Sequence, residues 1–211
     1  MFLLFDIGGT KTRVALAHRE QVVQESIIRT PDDFTSGIQE IISIVKSYTQ
    51  DEMITAAGGG VPGVLDRDKS TLSHAPNLPG WMDAPIKSTL ERELGIPVHL
   101  ENDAALAALG EAVYGAGSGY SIIAYLTIST GVGGARIVNK SIDVSMLGFE
   151  PGHQYIDFDQ SAMPISEYGT LEKYIGGNSL KKRLHQEPED IDDPEVWQEV
   201  EKILAYGLNN T

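Results

Sequence analysis

Asp6-Ile7-Gly8-Gly9-Thr10-Lys11-Thr12 is the stretch that decides how this chain is read. An apolar run, Phe2 to Ile7, precedes the glycines and another, Thr12 to Ala17, follows them, so they occupy a turn between two strands. Glycines carry no Cβ and let backbone amides crowd around an anion. Thr10 and Thr12 add hydroxyl donors, and Lys11 adds a positive charge. Asp6, at the strand end, is placed to hold Mg²⁺ or its water shell. The spacing is not that of a Walker loop. No helix opens at the turn either, which excludes a dinucleotide-binding turn. Taken alone, the stretch also reads as a plain glycine-rich hairpin.

Outward from the turn, Val22 to Arg29 continues the strands, and the three make an antiparallel meander. A helix follows, with Phe34, Ile38, Ile41, Ile42, Val45 and Tyr48 on one face and Pro31-Asp32-Asp33 as its start signal. Met53 to Ala57 reads as a strand that ends in Gly58-Gly59-Gly60. Pro62 to Pro85 is rich in turn residues. Pro85 opens a second helix that stops at Gly95, Val98 to Leu100 is a short strand, and Asp103 to Tyr114 is an Ala/Leu-rich helix. The glycine-rich segment 115–119 is the best linker candidate. It divides the chain into 1–117 and 118–211. Beyond it, Ile122 to Ile128 and Ala135 to Val138 are strands, Tyr155 to Phe158 is a further candidate, and Asp193-Pro194 starts a final helix carrying Val196, Val200, Ile203 and Leu204 on one face. The order predicts an α/β protein built as two layered units.

The second unit echoes the first. Thr127-Ile128-Ser129-Thr130-Gly131-Val132-Gly133-Gly134 is again a glycine turn with hydroxyl residues between strands. Thr130, Gly131 and Gly133 join Gly8, Gly9, Thr10, Lys11 and Thr12 as candidate phosphate contacts, as if two jaws closed on one polyphosphate. Glu101-Asn102-Asp103 lies where a strand gives way to a helix. Asp103 could take the proton of an attacking hydroxyl, since phosphoryl transfer needs alignment and a late-acting carboxylate more than covalent help. The competing reading is an ordinary helix cap.

Composition narrows the classes. The chain has 211 residues, 41% of them hydrophobic and 22% charged, which is an ordinary globular balance. It has no cysteine, so disulfides, thiol nucleophiles and thiolate metal sites are out. A net charge of −14 argues against nucleic-acid and anionic-membrane partners. The N-terminus has no signal-peptide character, and no apolar run approaches a membrane span, so a cytoplasmic location is expected.

The motifs together resemble the ROK family of sugar kinases and repressors, within the actin-like ATPase superfamily. The turn at Asp6–Thr12 is similar to that family's first phosphate motif and Thr127–Gly134 to its second, with Ser129 where a glycine is usual. Asn77-Leu78-Pro79-Gly80-Trp81 resembles its sugar loop, and Gly60-Val61-Pro62-Gly63 the turn before it. Asn102-Asp103 resembles its sugar-binding asparagine and catalytic aspartate, Glu150-Pro151-Gly152-His153 its glutamate–histidine signature, and Gly169-Thr170-Leu171-Glu172 the segment ending in its last sugar-binding glutamate. The resemblance implies ribonuclease H-like domains in two lobes with a cleft. It implies ATP and Mg²⁺ as cofactors, Asp103 as base, and a hexose ringed by Asn77, Asn102, Asp103, Glu150, His153 and Glu172. Carboxylates accept, amides do both and imidazole does either, which suits a ring of hydroxyls. Trp81 reads as core packing rather than a sugar platform.

Two departures stand out. The family's zinc cage uses three cysteines and the histidine, and Met163, Ile165 and Thr170 stand at the cysteine positions, so no structural zinc is expected. Kinases of the family also run on past the equivalent of Thr211, through an adenosine-binding turn. The second lobe is therefore expected to be incomplete, with a core face uncovered and homodimerisation plausible. Three readings stay open: an ATP-dependent hexose or N-acetylhexosamine kinase or its N-terminal part, a sugar-binding module like the repressors' ligand domains, and an inactive fragment. Family repressors carry an N-terminal DNA-binding extension, and with a first strand beginning at Met1 none is expected here. Glucose and N-acetylmannosamine are favoured over fructose.

Overall fold

Phe2–Ile7 forms strand β1, and its alternation is that of a strand with one face in a core: Leu3, Phe5 and Ile7 are buried while Phe2, Leu4 and Asp6 are exposed. The computed structural model describes residues 1–48, 53–143, 149–157 and 169–211. The chain divides into two compact units, Met1–Leu106 and Ala107–Thr211.

In the first unit β1 pairs antiparallel with β2 (Lys11–His18), and β2 antiparallel with β3 (Gln21–Arg29), as the meander reading expects. On its other edge β1 pairs in parallel with β4 (Ala56–Val61), which pairs in parallel with β7 (Val98–Asn102). The sheet order is β3-β2-β1-β4-β7. Helix α1 (Phe34–Tyr48) buries Ile38, Ile41, Ile42 and Val45, and α2 (Ile86–Leu94) buries Ile86 and Leu90. Each such side chain, once fully buried, stabilises the fold by roughly 1.5–3 kcal/mol relative to exposure. Gly95 ends α2 in the left-handed region at φ 67°, its amide donating to the Glu91 carbonyl.

Strand β4 corrects the sequence reading. It begins at Ala56, and Gly58, Gly59 and Gly60 lie inside it rather than beyond its end. Glycine ordinarily weakens a strand. Here β1 and β7 hold the backbone from both sides, and the Phe5 ring occupies the space of a side chain, 2.1 Å from where a Gly59 Cβ would sit. The turn-rich stretch 62–85 also contains a hairpin, β5 (Val64–Leu65) with β6 (Leu72–His74), and a 3₁₀ turn at Pro79–Trp81.

Helix α3 (Asp103–Val113) follows β7 without an intervening residue. The second unit holds an antiparallel sheet, order β10-β9-β8, built from β8 (Ile122–Ile128), β9 (Val132–Val138) and β10 (Ser141–Ile142). Strand β9 starts three residues before the expected Ala135, so Gly133 and Gly134 pair within the ladder opposite Thr127 and Leu126. Helices α4 (Leu171–Ile175), α5 (Gly177–Leu184) and α6 (Pro194–Asn209) bury Leu171, Tyr174, Ile175, Leu180, Val200 and Ile203 in one cluster with Val132. Asp193 caps α6 by accepting from the Glu195 amide at 2.9 Å, with Pro194 at the first position. The candidate strand at Tyr155 is a single bridge to Thr170, and Phe158 lies outside the described residues. Among the described residues no helix is long and apolar enough to cross a membrane.

Candidate active site

The parallel register of the first unit aligns three strand ends: Asp6 is opposite Gly60, and Gly60 is opposite Glu101. Carboxyl ends of parallel strands are where open α/β sheets bind ligands. Asp103 stands two residues past Glu101, at the start of α3. The missing side chain of Gly60 leaves room there: a methyl would lie 3.3 Å from Asp103 Cα and 3.5 Å from Asp6 Oδ1. Both aspartates thus border one small space at the end of β4.

The cap question at this corner resolves by division of labour. Asn102 caps α3, its Oδ1 accepting from the Ala105 amide at 3.0 Å while its Nδ2 donates to the Gly63 carbonyl at 3.0 Å. Asp103 is left to project from the first turn, one carboxylate oxygen oriented by the Ala104 amide at 2.8 Å. It reaches solvent, but the protein around it displaces enough water to raise its pKa. Asp6 raises it further, against the opposing pull of the Ala104 amide. Glu101 accepts from the Lys69 ammonium, which ties the β5–β6 hairpin to the same corner.

The first glycine turn lies beside this corner. Asp6, Gly9, Thr10 and Lys11 are exposed and Gly8 is half-buried. A Cβ on Gly9 would lie 2.7 Å from the Asn77 carbonyl oxygen, so turn and Asn77 loop are in backbone contact. That loop is anchored by Trp81, which is 0% exposed, donates to the Pro31 carbonyl at 3.0 Å and meets Phe34 edge-on at 5.5 Å. Trp81 is core, as its reading expected. Thr12 is turned inward instead: it is 1% exposed, and its hydroxyl lies 2.9 Å from that of Thr30. Gly8, Gly9, Thr10, Lys11, Asp6, Asn77, Asn102 and Asp103 therefore come together in one unit.

The second unit gathers the remainder around Val132. Glu172, half-buried on α4, accepts the Val132 amide at 2.8 Å through Oε2. A methyl on Gly131 would lie 2.4 Å from that oxygen, so a larger residue there would displace the Glu172 carboxylate. The turn Pro151–His153 packs on β9, with Gly152 against the Val132 carbonyl, and leaves Glu150 and His153 exposed. Thr130 is exposed at the tip of the turn, and Gly133 lies in β9.

An Mg²⁺ ion and a phosphate chain fit the donor set of the first unit, which offers exposed Asp6 and Lys11 and a glycine turn without side-chain obstruction. Zinc does not fit. The chain has no thiolate to offer, and Thr170 precedes α4 as its N-cap; Met163 and Ile165 lie outside the described residues. Sequence reasoning missed Thr30 and Lys69. A threonine before Pro31 and a lysine in a hairpin read as turn residues, and only the folded register brings them to Gly8 and Glu101.

The ROK family model matches residues 3–207. A glucokinase of Streptomyces coelicolor is 32% identical over 209 residues, covering 96% of this chain and 63% of its own length. The chain thus spans less than two thirds of that relative. A xylose repressor of Caldicellulosiruptor bescii is 30% identical over 173 residues, 79% of this chain and 42% of its own. The crystal structure of a ROK family glucokinase from Streptomyces griseus in complex with glucose and AMPPNP superposes with a TM-score of 0.76 at 26% identity, covering 99% of this chain and 78% of that one. The fold is that of the actin-like ATPases.

Proposed function

The chain belongs to the ROK family, and from that premise we propose that it carries the catalytic and sugar-binding machinery of an ATP-dependent hexose or N-acetylhexosamine kinase. The observation that carries the reading is the meeting of Asp6, the Gly8–Gly9 turn, Asn77 and Asp103 at one set of strand ends.

In this reading a sugar hydroxyl attacks the terminal phosphorus of ATP, the bond from that phosphorus to the bridging oxygen breaks with ADP as leaving group, and the hydroxyl proton passes to Asp103. The raised pKa of that carboxyl suits a base that takes the proton late. Asn77 and Asn102 orient the sugar; Asn102, though it caps α3, keeps one lone pair on Oδ1 for a hydroxyl. Glu150, His153 and Glu172 supply further acceptors and donors, with Glu172 Oε1 available beside its bond to Val132. Lys11, the Gly9 amide and the Thr130 and Gly131 amides hold phosphate oxygens. Asp6 would hold Mg²⁺, which when bound neutralises charge on the phosphates. Glucose and N-acetylmannosamine are the preferred substrates.

A second reading, a sugar-binding module without transfer, is favoured by the xylose-repressor relative. Calorimetry with glucose, N-acetylmannosamine and fructose, with and without Mg-ATP, separates the two. Sugar-dependent ADP release supports the kinase. Sugar binding without it supports the module. Absence of both overturns each.

A further inference from the structure

Thr30 is 2% exposed and makes two bonds to the first glycine turn: its hydroxyl donates to the Gly8 carbonyl at 2.6 Å and its amide to the Thr10 carbonyl at 2.9 Å. We propose that Thr30 is the positioning residue of this turn, gripping its carbonyls on one side so that its amides are presented to phosphate on the other. The inference rests on the kinase reading and extends it to a residue outside every motif.

The argument is one of peptide geometry. In a trans peptide the N–H points opposite to the C=O of the preceding residue. Holding the Gly8 carbonyl therefore aims the Gly9 amide the other way, and holding the Thr10 carbonyl does the same for the Lys11 amide. A hydroxyl has a single hydrogen. Thr30 spends its own on Gly8, so the 2.9 Å contact between the two hydroxyls makes Thr12 the donor to Thr30. Thr12 is thus committed to the brace, which accounts for its burial.

The second glycine turn repeats the device with different parts. The Gly177 amide donates to the Ser129 carbonyl at 2.8 Å and the Asn178 amide to the Thr130 carbonyl at 2.9 Å, so the first residues of α5 hold those carbonyls. The Thr130 and Gly131 amides are turned away from them by the same rule. Two unrelated braces producing one arrangement point to the arrangement as the thing required.

The brace also reaches the Asn77 loop. Pro31, next to Thr30, accepts from Trp81, and Gly80 lies against the Asp32 carbonyl. Residues 30–32 therefore touch the phosphate turn with one end and the loop carrying Asn77 with the other.

The test compares Thr30→Val, which keeps the shape and loses the hydroxyl, with Thr30→Ser, which keeps the hydroxyl, in the full 211-residue chain. In the ligand-free protein the Gly9 amide cross-peak should move in Thr30→Val and stay near its wild-type position in Thr30→Ser. Mg-ATP binding should weaken about tenfold in Thr30→Val, the effect of one lost bond, with sugar affinity held within about twofold. Thr30→Ser should restore it. An unmoved Gly9 peak in Thr30→Val overturns the brace. A moved peak with unchanged Mg-ATP affinity overturns its link to phosphate. Equal losses in sugar and nucleotide affinity reduce Thr30 to general structure and overturn the proposal. A wild-type chain that binds no Mg-ATP overturns the kinase reading itself, and the peak comparison still judges the brace.

Discussion

Asp6 and Asp103 stand on either side of Gly60, each with an atom about one van der Waals contact from where a methyl on that glycine would sit: 3.5 Å for Asp6 Oδ1 and 3.3 Å for Asp103 Cα. The Asp6 charge bordering this space adds to the cost of ionising Asp103, whose pKa burial already raises. Gly60, lacking a side chain, leaves that space unfilled.

Gly60→Ala tests the arrangement. Contacts this close require shifts of only tenths of an ångström, so the variant should fold, with a stability change of about 1 kcal/mol or less. Phosphotransfer should fall sharply, and the Asp103 pKa, read by NMR, should rise further as the methyl excludes water. Full activity in a folded Gly60→Ala would show that the space is not used.

Asp103→Asn should lower kcat by about 10²–10⁴-fold, the range for loss of a general base, while sugar binding measured by calorimetry survives. It should also raise thermal stability at neutral pH. The folded pKa of Asp103 is raised, so the native state binds its proton more tightly, and ionisation costs stability as pH climbs from the ordinary aspartate value of 3.8 upward. The variant's advantage should therefore vanish below that pH. A melting temperature unchanged at pH 7 would contradict the burial argument.

Asp66 has the opposite sign. Its carboxylate accepts from the Ser70 amide at 2.6 Å, the Ser70 hydroxyl at 2.7 Å and both Thr71 donors, which lowers its pKa to about 2. Its contribution is present in full above the unfolded value of 3.8 and is lost as pH falls through about 2. Asp66→Ala should cost about 1 kcal/mol at pH 7, the usual net worth of a hydrogen bond in a folded protein. The gap should narrow between those two pH values in thermal melts.

Gly131→Ala would drive a methyl to 2.4 Å from Glu172 Oε2 and break its bond to Val132. Glu172→Gln keeps an acceptor for that amide and should stay within about 1 kcal/mol of wild type, while Glu172→Ala should lose about 1–2 kcal/mol. Sugar affinity, measured alongside, should fall in Gly131→Ala and Glu172→Ala alike. Normal sugar binding by Gly131→Ala would detach the second turn from the Glu172 site.

Metal analysis of the purified chain should find no stoichiometric zinc, because no cysteine is available to bind it. One tightly bound zinc per chain would require a ligand set built from other residues.

Alternation in β1 and the three-to-four spacing of α1 were legible directly, because a half-buried element writes its period into the chain. So were Gly95, Asp193 and Pro194 as helix punctuation. The glycine turns and Asn102-Asp103 could be located as chemistry, since their residue types are those that bind phosphate or take a proton. What the sequence left open was which of two uses each residue has. Asn102 caps α3, leaving its neighbour Asp103 free to serve as a base, and Thr12 is drawn into the brace rather than the turn. Strand β4 runs through three glycines because Phe5 fills one of their places from the neighbouring strand. Local period and turn chemistry are properties of adjacent residues, and the chain states them by itself. The reach of Thr30 to Gly8, 22 residues away, and of Glu172 to Val132, 40 away, depends on strand register and helix packing, which exist only once the core has formed.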